Sequence, residues 1–269
     1  RSMLKSGIVV SSMTLISRVL GLVRDVVVAN FLGAGAAADV FFFANKIPNF
    51  LRRLFAEGAF AQAFVPVLTE VKSQNDDAAM QDFVAKVSGT LGAIVFITAI
   101  VGVIFSPVLA ALFGGGWFVD YLNDGEKADN FMLASSMLKI TFPYIFFISL
   151  AGLVGAVLNT LNKFAVAAFT PVLLNISIIT CAFFLGPVLD EPAYALAWGV
   201  FFGGIAQLLF QLPFLYRAGL LQRPKWGWRD PNVVKVRTLM IPALFGVSVS
   251  QINLLLDTLI ATFLDLTGS

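Results

Sequence analysis

The sequence has no histidine, one cysteine and few charges. Without histidine, His-based triads, imidazole general bases and His-ligated metal sites are excluded within this chain. The single cysteine, Cys181, cannot close an intrachain disulfide. Its setting in the apolar run 175–185 reads as an inert buried thiol rather than a nucleophile. Charged residues, 18 basic and 16 acidic, make up 13% of the 269 positions, against about a quarter in soluble domains. What is there instead is apolar: 58% of residues are hydrophobic, including 27 phenylalanines, and the mean hydropathy is +0.88. So few charges cannot cover a soluble surface. The composition excludes disorder, argues against a soluble enzyme and fits membrane helices at about 20 apolar residues per span. A net charge of +2, scattered along the chain, gives no nucleic-acid footprint.

Apolar runs and punctuation predict an all-α, polytopic membrane helix bundle of seven segments, roughly 6–32, 36–71, 82–113, 130–157, 165–187, 193–217 and 236–264. Residues 89–112 carry no charge at all. Pro143, Pro171 and Pro242 fall within segments, which membrane helices tolerate because neighbours satisfy the freed carbonyls. Lys5 and the apolar stretch 7–16 imitate a signal peptide, but Arg18, Arg24 and Asp25 follow directly and the helical pattern continues.

Basic residues outside the segments set an expected orientation. With the N-terminus in the cytoplasm, the inner stretches hold Arg1, Lys5, Lys72, Lys86, Lys163, Arg217, Arg223, Lys225, Arg229, Lys235 and Arg237, whereas the outer ones hold only Lys127. The remaining cations, Arg18, Arg24, Lys46, Arg52, Arg53 and Lys139, lie within segments.

Those intramembrane charges are the most informative feature. At 100° per residue, Ser11, Thr14, Ser17, Arg18, Gly21, Arg24 and Asp25 share an arc of roughly 140° on the first segment. Asp39, Lys46, Asn49, Arg52, Arg53 and Glu57 share an arc of about 140° on the second, provided that it stays regular past Pro48. Charge at bilayer depth is costly, from ~2.5 kcal/mol per residue upward, so two such faces are expected to meet around water. Internal pairing of Asp25, Asp39 and Glu57 with the arginines is one explanation. The cations still outnumber those acids, and the excess favours an anionic ligand whose phosphate oxygens suit the arginine fork.

Other polar groups are open to two readings. Asp257, with Ser250 and Asn253 on one face of segment seven, is either an Na⁺ or H⁺ coupling site or a packing cluster. Gln207 and Gln211 read as interhelical glue, and the solitary Lys139 as structural. The basic stretch 217–237, with Trp226 and Trp228, reads as an interfacial connector attracted to anionic membrane lipids. Asp76, Asp77 and Asp82 look like a solvated turn before a helix. No catalytic residue, metal site or cofactor is expected.

Several of these runs carry a resemblance. SSMTLISRVLGLVRD at 11–25, ADVF at 38–41, KIPNFLRRLFAEGAF at 46–60 and QAFVP at 62–66 resemble the MurJ (MviN) family of bacterial lipid II flippases, as do KITFPY at 139–144, PVLLNI at 171–176 and GVSVSQI at 246–252. The family belongs to the multidrug/oligosaccharidyl-lipid/polysaccharide exporter superfamily, built from two six-helix lobes around a central cavity. By this resemblance, residues 1–232 form the N-terminal six-helix lobe and 233–269 the first helix of the C-terminal lobe. A family member continues for about as long again, so the missing C-terminal lobe would be a partner, alongside lipid II and membrane lipids.

The resemblance also implies roles. Arg18, Arg24 and Arg52 would hold the diphosphate-linked head group of lipid II, with Ser17, Asn49 and Arg53 as further substrate contacts on the same faces. Asp25, Asp39, Glu57 and Lys46 would pair and gate the cavity. Asp257, with Asn253, aligns with a cation site found in some members, so Na⁺, H⁺ or the membrane potential could drive transport. The implied location is the bacterial inner membrane. A cation-coupled drug exporter of the same superfamily and a non-transporting membrane scaffold stay open as alternatives.

Overall fold

The computed structural model describes residues 2–32, 36–53 and 59–267. Among these residues the chain folds into eleven helices: α1 (Ser2–Leu32), α2 (Ala36–Arg52), α3 (Phe60–Ser73), α4 (Asp77–Ile104), α5 (Ser106–Phe113), α6 (Gly115–Leu122), α7 (Ala128–Thr141), α8 (Tyr144–Thr160), α9 (Phe164–Leu185), α10 (Ala193–Arg217) and α11 (Pro231–Thr267). Six stretches are long and apolar enough to cross a membrane: Met3–Phe31, Asp77–Ile104, Ala128–Thr160, Phe164–Leu185, Ala193–Arg217 and Pro231–Val249. This is a multi-pass helix bundle.

Three segments depart from the expected continuous helices. Segment 36–71 is described as the 17-residue α2 and the 14-residue α3, each shorter than the ~20 residues that span a bilayer; residues 54–58 between them lie outside the described set. Segment 82–113 ends α4 at Ile104, and Pro107 opens α5, because proline is tolerated in a first turn but not in a helix interior. Segment 130–157 divides at Pro143 into α7 and α8. The short helix α6 falls in the expected loop 113–129.

At two helix-interior prolines a hydroxyl group takes up the freed carbonyl. Pro171 lacks the N–H that would bond the carbonyl of Ala167, and the Thr170 hydroxyl donates to that carbonyl instead at 2.8 Å. Pro48 likewise frees the Ala44 carbonyl, which accepts from Thr141 Oγ1 at 3.4 Å. Both helices therefore continue through their prolines without a bare carbonyl.

Helix α9 lies between α1 and α10, α8 packs on the far side of α10, and α4 packs on α8. The α9–α10 contact is close because α10 presents glycine: a Cβ at Gly199 would lie 2.7 Å from Ile178 Cα. Ser177 Oγ crosses the seam to the Gly199 carbonyl at 2.7 Å. Small residues with a bridging hydroxyl supply the attraction that lipid-immersed helices cannot obtain from water. Two apolar cores result. One holds Phe41, Phe43, Trp117, Met137, Tyr144, Ile178 and Leu196; the other holds Phe64, Leu68, Phe83, Leu153, Leu158 and Val236. Phe146 and Leu208 pack against both. Ile8, Leu15, Ile16, Val19, Val23 and Val26 of α1 stay exposed, which suits a surface solvated by lipid rather than by water.

The stretch 218–230 returns along α4. Lys225 N donates to the Ala85 carbonyl at 3.0 Å, Gly227 N donates to Thr90 Oγ1 at 2.9 Å, and Lys86 Nζ bridges Asp82 at 2.8 Å and Asp230 at 3.0 Å. Asp230 also accepts from the backbone N–H of Asn232 at 3.0 Å and Val233 at 3.4 Å, so it caps α11. Burial pushes its carboxyl upward, but Lys86 and the two backbone donors outweigh that and hold it below its usual range. The stability that follows is present above the unfolded value of about 3.9 and disappears as pH falls through the lower folded value. Asp230→Ala should lower stability by about 1–2 kcal/mol. Asp230→Asn should abolish the acid-dependent part, measured as hydrogen exchange at 223–230 against pH.

Candidate functional site

The sequence candidates divide between the two ends of the bundle. On α1, the residues Ser17, Gly21, Arg24 and Val28 recur at helical spacing and form the edge that meets α9. Arg24 Nη1 donates to Asn175 Oδ1 at 2.9 Å, and Asn175 Nδ2 donates to the Ser17 carbonyl at 3.2 Å. Asn175 is therefore a buried two-way staple between the helices. The Arg24 Nε and Nη2 groups both donate to Asp25 Oδ1, at 3.3 and 3.1 Å. A guanidinium carries five N–H donors, and this leaves two of them open. The Arg24 side chain is 30% exposed and Asp25 54%, so the pair between neighbours is weak by itself.

Arg18 makes no ion pair among the described residues. It lines a cavity of about 520 Å³ with Val10, Thr14 and Ser17 of α1, Asn159 of α8, and Phe164, Ala167, Ala168 and Pro171 around the start of α9. Asn159, Ala167 and Pro171 also line a second cavity of about 620 Å³ between α3, α8, α9 and α10. The two volumes share this wall. Arg18 and Arg24, six residues apart, are separated by about 9 Å along the helix.

Gln207 and Gln211 tie the second cavity together. Tyr144 Oη donates to Gln207 Oε1 at 3.0 Å, and Gln207 Nε2 donates to the Thr170 carbonyl at 3.1 Å. Gln211 Nε2 reaches the carbonyls of Ala151 and Gln207, each at 3.1 Å. They join α8, α9 and α10 as interhelical amides.

The polar groups of α2 sit elsewhere. Asp39 and Lys46 line a separate pocket of about 260 Å³ with Phe42, Phe43, Trp117, Ala261, Thr262 and Asp265. Trp117 Nε1 donates to Asp265 Oδ2 at 2.9 Å, Lys127 Nζ lies 3.4 Å from Asp265 Oδ1, and Gly116 N donates to Thr262 Oγ1 at 3.2 Å. The expected meeting of the α1 and α2 faces around one cavity is thus not what the described residues form: Arg18 faces the α9 side, whereas Asp39 and Lys46 face α6 and α11. A helical wheel assigns a residue to a face but not to a neighbour. Asn49 is half-buried and Arg53 exposed. The Arg52 side chain and all of Glu57 lie outside the described residues. On α11, Asp257 and Asn253 are exposed one turn apart, and the Ser250 side chain lies outside the described set.

This geometry can be set beside known proteins. The family model described as "Lipid II flippase MurJ" matches residues 28–269. The chain belongs to the MurJ family. It is 66% identical over 269 residues to a probable lipid II flippase MurJ of Vibrio cholerae, covering the whole of this chain and 51% of that protein. It is 63% identical over 257 residues to a probable MurJ of Haemophilus influenzae, covering 96% of this chain and 50% of the relative. A lipid II flippase MurJ of Burkholderia cenocepacia is 42% identical over 267 residues, with 97% and 50% covered. Among solved structures, a lipid II flippase MurJ in an inward closed conformation superposes with a TM-score of 0.74 at 30% identity, covering 95% of this chain and 51% of that one. The chain spans about half the length of the curated relatives it matches.

Within this MurJ fold, sequence reasoning did not foresee Asn159 and Asn175 as site residues. The one available signal was an uncharged amide in an otherwise apolar helix, Asn175 following Pro171 by one turn. Trp117 and Asp265 gave no such signal, because 148 residues separate them.

Proposed function

We infer that this chain forms the N-terminal half of a lipid II flippase, which moves the undecaprenyl-diphosphate-linked peptidoglycan precursor from the inner to the outer leaflet of the bacterial inner membrane. The observation that carries the reading is the cationic edge of α1: Arg18, which has no ion-pair partner among the described residues and lines a cavity, and Arg24 six residues further along the same helix. A diphosphate supplies the anionic oxygens that such guanidinium groups lack. The isoprenoid tail remains in lipid, where the exposed apolar side of α1 meets it.

The reaction is transport, with no bond made or broken, and no cofactor is needed. Alternating access between this lobe and the missing C-terminal lobe would expose the cavity first inward and then outward. Asp39, Lys46 and Asp265 lie at the opposite end, where pairing would open or close it. Asp257 and Asn253 on α11 are the candidate Na⁺ or H⁺ contacts, and the membrane potential is the other driver. The bias of basic residues supports a cytoplasmic N-terminus. A cation-coupled drug exporter fits poorly, since a cationic cavity repels cationic substrates.

The reading is tested by growth. A full-length MurJ carrying this sequence should sustain a strain depleted of its own flippase, and the Arg18→Ala, Arg24→Ala double variant should not, at equal membrane abundance. Normal growth of the double variant contradicts the reading.

A further inference from the structure

The larger cavity carries an assignment beyond the arginines. It is about 620 Å³, within the ~300–1,000 Å³ of ordinary small-molecule sites. Its polar lining is almost entirely neutral: Thr69, Asn159, Asn162, Thr170 and Gln207. Lys72 is the one cation in the lining among the described residues, and its Nζ already donates to the Thr160 carbonyl at 2.7 Å. Gly152, Gly155 and Ala156 make the floor small and smooth. Gln211, 1% exposed, makes two donations from Nε2 and leaves Oε1 without a partner among the described residues. A Cβ at Gly155 would come within 3.2 Å of that oxygen, so the absence of a side chain there leaves the acceptor beside the floor.

Such a lining is matched to a ligand that is uncharged and rich in hydroxyl and amide groups. A hydrocarbon tail would leave the Asn159 and Asn162 amides unpaired. A carboxylate-bearing peptide would call for cations that the groove does not offer. Resting on the flippase reading above, we propose that this groove is the saccharide subsite of the head-group site, holding the acetamido sugars of the substrate through Asn159, Asn162 and Thr69 over the Gln211 acceptor at its floor. The covalent order of the ligand supports the placement. The first sugar is bonded directly to the diphosphate, and Asn159 lies on the wall shared by the arginine-lined cavity and the groove.

The test uses a purified full-length MurJ carrying this sequence and three lipids: undecaprenyl diphosphate, its disaccharide derivative without peptide, and lipid II. Affinities are measured by titration in native mass spectrometry. Thr69→Val alters an exposed position that lines the groove but not the arginine-lined cavity. It should weaken the disaccharide lipid and lipid II about tenfold and leave undecaprenyl diphosphate unchanged. Ala156→Leu, which fills the groove while keeping every polar group, should give the same split. An equal loss for all three lipids, an unchanged affinity for the disaccharide lipid, or a loss confined to lipid II overturns the assignment. If the unaltered protein binds undecaprenyl diphosphate as tightly as lipid II, the saccharide subsite fails while the flippase reading stands. Binding of none of the three overturns both.

Discussion

Arg24→Ala in the full-length protein should reduce lipid II affinity at least about 30-fold, because truncating one member of a hydrogen-bonded charge pair costs about 2–5 kcal/mol. The structure separates this from simple unfolding. Arg24 sits on the edge of α1 facing α9, and its hydrogen-bond partners among the described residues are Asp25 and Asn175. Removing it strands the buried Oδ1 of Asn175, a local cost of about 1–3 kcal/mol. Arg24→Ala on an Asn175→Ala background removes that stranded acceptor, so the difference between the two backgrounds isolates the packing share. The ligand share should persist in both. Arg24→Lys should recover only part of the affinity, since an ammonium keeps the charge but loses the planar fork that meets both Asn175 and a phosphate. Calorimetric or mass-spectrometric titration of lipid II against the unaltered protein, Arg24→Ala, Asn175→Ala, their double variant and Arg24→Lys checks the ordering. Equal affinity of Arg24→Ala and the unaltered protein would remove Arg24 from the site.

The second large effect is expected at the opposite end of the bundle. Gly116→Leu should destabilise the fold by about 3 kcal/mol or more, the upper range for forcing bulk into a packed seam. A Cβ at Gly116 would lie 2.3 Å from the Thr262 carbonyl oxygen and 2.6 Å from Phe263 N. Both are backbone atoms of α11 and cannot rotate away. Helix α6 must then lift from α11, losing the Gly116 N–Thr262 Oγ1 and Trp117 Nε1–Asp265 hydrogen bonds. The pocket containing Asp39 and Lys46 would open with it. Gly246→Ala is the matched control: nothing lies within 4 Å of its would-be Cβ, and alanine favours a helix over glycine by about 1 kcal/mol. Thermal unfolding in detergent should show a large loss for Gly116→Leu and none for Gly246→Ala. Unchanged melting of Gly116→Leu would mean that the α6–α11 seam is not tightly packed.

What could be read from residues alone follows from how local the cause is. The bounds of α10 are those expected from the sequence, because Pro192 and Arg217 punctuate an uncharged run. Helices α1 and α9 agree within a few residues for the same reason. Helix α6 was invisible: eight residues behind a run of glycines have little helical preference, and its anchors, Thr262 and Asp265, lie at the far end of the chain. The site divides in the same way. Arg18 and Arg24 announce themselves as charges within an apolar span, where they are costly. Asn175 does not, because its importance is a contact with a residue 151 positions away. Among the described residues, Asp39 and Lys46 do not join Arg18 for a related reason: they follow α2 to α6 and α11, a neighbour choice that helical periodicity does not encode.

The central claim is that the arginine edge of α1 carries a diphosphate-linked lipid across the membrane. The most direct measurement places a full-length MurJ carrying this sequence in vesicles loaded with fluorescent lipid II and follows the fraction reachable by a membrane-impermeant quencher. Exchange between leaflets should exceed that of protein-free vesicles for the unaltered protein and fall to the protein-free level for the Arg18→Ala, Arg24→Ala double variant. Exchange by the double variant equal to that of the unaltered protein would contradict the account.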